Sequence, residues 1–240
     1  MVYRYIVASG CSQSQNGPGT GGLPPTWHNP RGGCSYVDQG QTSVESPVSW
    51  VSHVARDLGV WSLVNMAAAG HGNQFVQQTI VDLLERYPYH PGNTLVLFNV
   101  TFSHRLDIPC DFRHPDRSTS VPWTADLLPY TYLSMRSKLQ HSFHQHWGNS
   151  QVKHSSSLAL SCLFSYLEHR KFHYRFTMAM NHLADPAVAS VLEQYREHLV
   201  MLGPYAGIRE FVVDNGLTMD ACHPTVEGHA LIAREVMDTL

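Results

Sequence analysis

Apolar positions along this chain follow two alternating periods, one of strands and one of helices. Residues 3–9 alternate weakly and end in Ser9-Gly10, the pattern of a buried strand feeding a tight turn. After Ser46-Pro47, an N-cap followed by proline at the first helical position, Val48, Val51, Val54, Ala55 and Leu58 form one apolar face, and Gly59 closes the helix. Residues 61–67 read as a second strand and 68–72 as the turn after it. A helix follows with Phe75, Val76, Ile80, Leu83 and Leu84 inward. Thr94 to Val100 is a continuous apolar run, as expected of a central parallel strand covered on both faces. Further on, 156–170 reads as helix, Phe172–Met180 as a fourth strand, Pro186–Leu202 as helix and Ile208–Val213 as the last strand. Val226, Ala230, Ala233, Met237 and Leu240 then fall at helical spacing behind Pro224.

This β-α-β-α-β…α-β-α order predicts a doubly wound α/β fold with a parallel sheet, as one domain over 1–240. Two stretches break the periodicity. Residues 13–45 are rich in Gly, Pro, Ser, Gln and Asn, a composition typical of a long functional loop. Residues 102–150 hold many Pro, His and aromatic residues and read as an insertion of loops and short helices.

Composition narrows the field. The chain has 240 residues, 43% of them hydrophobic, enough for a full core. A net charge of −3 with no Lys/Arg cluster argues against nucleic acid or an anionic membrane as partner. The first residues are too short and polar a stretch for a secretory signal, and no apolar run reaches the roughly 18–20 residues of a membrane span. The five cysteines, Cys11, Cys34, Cys110, Cys162 and Cys222, lack CxxC spacing. Free thiols in a reducing compartment, by default the cytoplasm, are expected; release by a signal-free route would leave no trace in the sequence.

Candidate chemistry sits at the two ends. Gly10-Cys11-Ser12 follows the first strand, and Asp220-Ala221-Cys222-His223-Pro224 precedes the last helix. An aspartate three residues before a histidine at the mouth of a helix can hold that imidazole, and a serine at a strand end completes a Ser-His-Asp relay: Ser12 as nucleophile, His223 as base, Asp220 as its orienter. The bland alternatives are a turn-forming serine, a helix-capping histidine and a plain N-cap aspartate.

With the residues between them, these motifs resemble the SGNH (GDSL-like) hydrolases. Gly10-Cys11-Ser12 stands for the first block's Gly-Asp-Ser, Asn65-Met66-Ala67-Ala68-Ala69-Gly70 for the second, and Asp220-x-x-His223-Pro224 meets the fifth in full. The third block departs: where Gly-x-Asn-Asp should end strand three, the chain reads Thr101-Phe102-Ser103-His104. The resemblance covers residues 3–101 and 220–236. It implies a flavodoxin-like three-layer α/β/α sandwich and a serine esterase or deacetylase that needs no metal or cofactor. The implied substrate is a small-molecule ester or an O-acylated carbohydrate. Its rivals are an acyltransferase with the same site and a non-catalytic binding or structural module on the same fold.

The family holds its oxyanion with three donors. The amides of Ser12 and Gly70 supply two. For the third, Asn73 has the reach and is preferred; Ser103, at the position of the missing asparagine, has a shorter side chain. Asn99, inside the strand, reads as a buried, satisfied amide. Cys11 and Cys222 read as small hydrophobes beside the triad. His141-x-x-His144-x-His146 is the one metal-like spacing, and it lacks a nearby cysteine or carboxylate, so no metal is expected. Sixteen histidines against sixteen Lys and Arg admit metal binding, with a solvated His-rich surface as the blander account. Trp27, Trp123, Tyr130, Tyr132 and Trp147 fall in the irregular stretches, as walls of a sugar-stacking cleft or as loop anchors.

Overall fold

The computed structural model describes residues 2–10, 36–38, 49–67, 71–105, 107–110, 131–134, 138–218 and 223–240; for 36–38, 107–110, 131–134 and 138–149 the description is of the backbone. Five parallel strands form the central sheet: β1 (Tyr5–Ser9), β2 (Tyr36–Asp38), β3 (Ser62–Asn65), β4 (Thr94–Val100) and, after a separate antiparallel pair, β5 (Asp107–Cys110) with β6 (Thr131–Ser134), the edge strand β7 (His173–Met178). Their order is β2-β3-β1-β4-β7. Ala8 pairs with Asn65 on one side, and Ser9 with Phe98 on the other, so β1 ends in the middle of the sheet.

Helices cover both faces. Alternate residues divide between the two: Val7, Val96, Phe98 and Val100 face α2 (Asn73–Arg86), α3 (Lys138–Arg170) and α4 (Pro186–Gln194), while Ile6, Ala8, Leu95 and Leu97 face α1 (Trp50–Leu58), α5 (Ile208–Asp214) and α6 (Val226–Met237). That is why β4 has no polar face in sequence: all seven of its residues are buried. The result is a three-layer α/β/α sandwich.

Local signals act mostly where the sequence puts them. Gly59 ends α1 in the left-handed region (φ 63°) as expected, but the cap is Ser49, its hydroxyl accepting from Ser52 N–H, three residues after the Ser46 expected to cap the helix. Asp185 caps α4, with Pro186 in its first turn. The helix expected over 186–202 stops at Gln194 and gives way to a single 3₁₀ turn, Arg196–His198.

One expected element changes type. Ile208–Val213 is not the last strand but lies within helix α5, its buried Ile208, Phe211 and Val212 spaced by three and four along one face. A short apolar run fits either element in sequence, and packing on the sheet decides it. The place beside β7 goes instead to Leu199-Val200, which bridges Phe176 in parallel (Val200 N–H to Phe176 O, 2.9 Å). Within 102–150, the described residues are the turn at 102–105, the β5–β6 pair and the first turns of the long α3; the rest of the stretch expected to hold loops and short helices lies outside the described residues.

Helix α5 docks on the exit of β7 through a glycine. A Cβ at Gly207 would lie 2.5 Å from Met180 C and Asn181 N and would also meet the Glu210 carboxylate, which accepts from Asn181 N–H (3.1 Å). Gly207→Ala should therefore lower unfolding free energy by about 1–3 kcal/mol, read from the urea midpoint. An unchanged midpoint would mean that this backbone contact yields freely.

Candidate functional site

Parallel α/β sheets place their sites beyond the carboxyl ends of the strands, and the ends of β3, β1 and β4 lie side by side here. β1 leaves the sheet at Ser9-Gly10, between the exit of β3 at Asn65 and that of β4 at Val100. Ser12 follows two residues after Gly10, outside the described residues, as do Gly70 and Asp220. Of the six candidates, Asn73, Ser103 and His223 are placed.

Asn73 opens α2 and is fully buried. Its Oδ1 accepts from Thr101 N–H (2.8 Å), while Nδ2 donates to Thr101 O (3.2 Å) and Ser156 Oγ (2.6 Å). The side chain thus clasps the turn after β4 to the start of α2, and ties both to α3. A second stitch runs parallel: Arg105 donates from a terminal nitrogen to His71 O (3.1 Å), its guanidinium 4.4 Å over the Phe102 ring. His71 in turn stacks on Phe75 at 4.1 Å. Because β1 lies between β3 and β4, both stitches join the segments that flank its exit.

Ser103 is also buried, and its hydroxyl donates to Asp185 Oδ2 (2.6 Å). Lys153 reaches the same carboxylate at 3.2 Å. Burial opposes ionisation of Asp185, but the bonds from Ser103, Ala187 N–H and Lys153, with the lysine charge, outweigh it and hold the carboxyl below its ordinary range. Neither Asn73 nor Ser103 therefore keeps a hydrogen free for an oxyanion: the amide donates twice, and the hydroxyl has given its single proton to Asp185. Asn99 is the buried, satisfied amide expected of it, donating to Thr177 Oγ1 at 3.0 Å. His182, 3% exposed, sits edge-on to Phe102, with Nε2 buried and unpartnered. Burial first, and then the charges of Arg105 and Lys153 against that of Asp185, push its pKa down to about 4.

His223 stands before α6, on a segment closed from both sides. Thr218 bridges Pro224, Thr225 N–H donates to Leu217 O (2.7 Å), and the Thr225 hydroxyl caps α6 by accepting from Gly228 N–H (3.1 Å). Gly228 packs so closely that a Cβ would sit 3.0 Å from Leu217 O. The edge to which this segment belongs follows from α1. That helix runs directly into β3, so its start at Trp50 lies toward the carboxyl edge of the sheet. Trp50 N–H donates to His229 Nδ1 (3.3 Å), which sets the first turns of α6, and His223 before them, at the same edge. The bond also fixes His229 as the Nε2–H tautomer. Burial, with the charges of His53 and His223, takes its pKa down to about 3.

Sequence reading missed the Arg105–His71 stitch and the Ser103–Asp185–Lys153 group. Pro186 showed as a helix start, but nothing in the sequence linked Asp185 before it to Ser103, 82 positions away. His141, His144 and His146 lie in α3, and their side chains are outside the description. Among the described residues no group of three His, Cys, Asp or Glu side chains is arranged to hold a metal ion, and no helix is long and apolar enough to cross a membrane.

No family model and no curated protein matches the sequence. Among solved structures, the chain is similar to a member of the lipolytic protein G-D-S-L family from Veillonella parvula, with TM-score 0.50, 13% identity, and coverage of 98% of this chain and 96% of that one. It is also similar to an alpha/beta hydrolase enzyme from the metagenome of Lake Arreo (0.49, 12%, 98% and 94%). A variant of Axe2, an acetyl-xylooligosaccharide esterase from Geobacillus Stearmophilus, gives 0.48 at 13% identity over 98% and 93% of the two chains. At such identity the likeness is one of fold. The chain has an SGNH-hydrolase-like fold.

Two outcomes follow from this geometry. Asn73→Ala leaves Thr101 N–H, Thr101 O and Ser156 Oγ buried without their partner, and should cost about 2–4 kcal/mol in urea unfolding; a loss under about 0.5 kcal/mol would show that the clasp carries no stability. The two buried histidines are neutral in the folded state, whereas the unfolded chain protonates them below about pH 6.5. The unfolded state then binds the extra protons, so stability is full above that pH and falls on acidification toward their folded pKa values, by about 1–2 kcal/mol for each histidine between pH 7 and 5. His229→Asn, which keeps an acceptor for Trp50 N–H, should flatten part of that slope in urea titrations at the two pH values; an unchanged slope would assign it to other groups.

Proposed function

We propose that the protein is a serine ester hydrolase working through an acyl-serine intermediate, with Ser12 as nucleophile, His223 as base and Asp220 as the orienter of His223. The observation that carries the reading is the Trp50–His229 bond, since it sets the His223 segment at the carboxyl edge of the sheet, the edge at which β1 ends in Ser9-Gly10, two positions before Ser12 in sequence. The SGNH-hydrolase-like fold supports it, as do the first, second and fifth sequence blocks at their expected strand and helix ends.

The chemistry balances without a cofactor. Ser12 Oγ bonds to the ester carbonyl carbon while His223 takes the hydroxyl proton. The carbonyl π pair moves to oxygen, and the Ser12 and Gly70 amides donate to that oxyanion. Collapse reforms the carbonyl and breaks the bond to the alcohol oxygen, which leaves with the proton from His223. Water then attacks the acyl-serine by the same route, releasing the acid and restoring Ser12. Asn73 and Ser103, engaged as they are, hold the walls around this centre. The substrate class that the family resemblance implies is a small acyl group on a carbohydrate or other small molecule.

Treatment with a fluorophosphonate probe should give an adduct at Ser12, located by peptide mass spectrometry. Ser12→Ala should abolish labelling and lower turnover of a short-chain aryl ester by about 10³-fold or more while the far-ultraviolet spectrum stays unchanged. Labelling that persists in that variant would remove Ser12 from the mechanism.

A further inference from the structure

Resting on the acyl-serine reading, we infer that Arg105 supplies the third oxyanion donor, in place of the asparagine missing from the turn after β4. The premise is the hydrogen inventory of that edge. Asn73 has spent its two amide hydrogens on Thr101 O and Ser156 Oγ, and Ser103 its one on Asp185. A guanidinium carries five N–H donors in a rigid fork. Among the described residues, that of Arg105 makes one side-chain hydrogen bond, to His71 O.

That bond also fixes where the remaining donors are. His71 is the neighbour of Gly70, whose amide is the second oxyanion donor, so the fork is anchored one residue from the proposed hole. The Phe102 ring, 4.4 Å from the guanidinium carbon, sets its plane, and Arg105 N–H closes the turn on Phe102 O at 3.1 Å. Both anchors belong to segments flanking the exit of β1. Asp185, bonded by Ser103 and Lys153, makes no hydrogen bond or ion pair with Arg105. Arg105 thus holds a charge with no carboxylate partner among the described residues, at the sheet edge to which the acyl-serine reading assigns the developing anion. The ester carbonyl is neutral in the ground state, so an uncompensated cation favours the tetrahedral intermediate over the bound substrate.

The test uses a neutral substrate, p-nitrophenyl acetate, with the full-length parent, Arg105→Met, Arg105→Lys and Arg105→Ala. Arg105→Met should lower kcat by about 10²–10³-fold with KM within about threefold of the parent, and should slow phosphonylation by the fluorophosphonate in proportion, since the phosphonyl oxygen takes the same position. Arg105→Lys should retain more turnover than Arg105→Met. Added guanidinium should raise kcat of Arg105→Ala by at least about tenfold, a response that a loss of scaffolding alone would not give. Several results overturn the inference: kcat within threefold of the parent in a variant of parental Tm, a loss confined to KM, which makes Arg105 a substrate anchor, or a kcat loss without guanidinium rescue, which makes it a clamp on the His71 turn. The parent separates the two levels of claim. Labelling at Ser12 with parental rates in the Arg105 variants removes Arg105 alone, whereas labelling elsewhere removes the acyl-serine reading and Arg105 with it.

Discussion

Burial of β1 and β4 on both faces is the constraint from which the rest of the molecule follows. A strand with no wet face must satisfy its backbone through neighbours on both sides, and must send alternate side chains into two separate cores. β1 does so by pairing with β3 and β4 in parallel, which requires the connections to return over the faces as helices. All strands then end at one edge, and the turns that follow them are brought side by side. A site at that edge is a consequence of the topology before any particular side chain is considered.

Crowded strand exits need polar groups to be paired, and side chains of this chain do so. Asn73 serves the backbone of Thr101 in both directions, Thr79 bonds Ser9 at 2.7 Å under the end of β1, and Asn65 Oδ1 accepts from Ala67 N–H at 3.0 Å as β3 turns away. Each bond fixes a turn that flanks the exit of β1. Such bonds are worth little net against water, but their loss in a buried place is expensive, which makes the edge rigid. A rigid edge is what a preorganised oxyanion site requires, since donors that must reorient during reaction lose most of their effect.

Electrostatics divide the same edge into two kinds of group. Asp185 is matched by Lys153 and Ser103, and His182 and His229 are kept neutral by burial. These are groups whose charge has been settled by the fold. Arg105, tied to a carbonyl and a ring face, retains its charge without such a match among the described residues. The departure in the third block therefore coincides with a different way of placing positive character beside the strand ends.

The sequence by itself determined the elements whose signals are local. The seven-residue run of β4, the start of α4 at Pro186, the Gly59 stop of α1 and the spacing of the last helix needed only period and turn residues. It also carried the motif order Ser12, Gly70, Asp220, His223 that points to an acyl-serine centre. It did not determine whether 208–214 was strand or helix, because a short apolar run satisfies both until its packing partner is known. Nor did it tell that Asn73 and Ser103 would be engaged, since their partners Ser156 and Asp185 are 83 and 82 positions away. Donor availability is a property of what lies within about 3 Å, and in a fold built from parallel crossovers those neighbours come from distant parts of the chain.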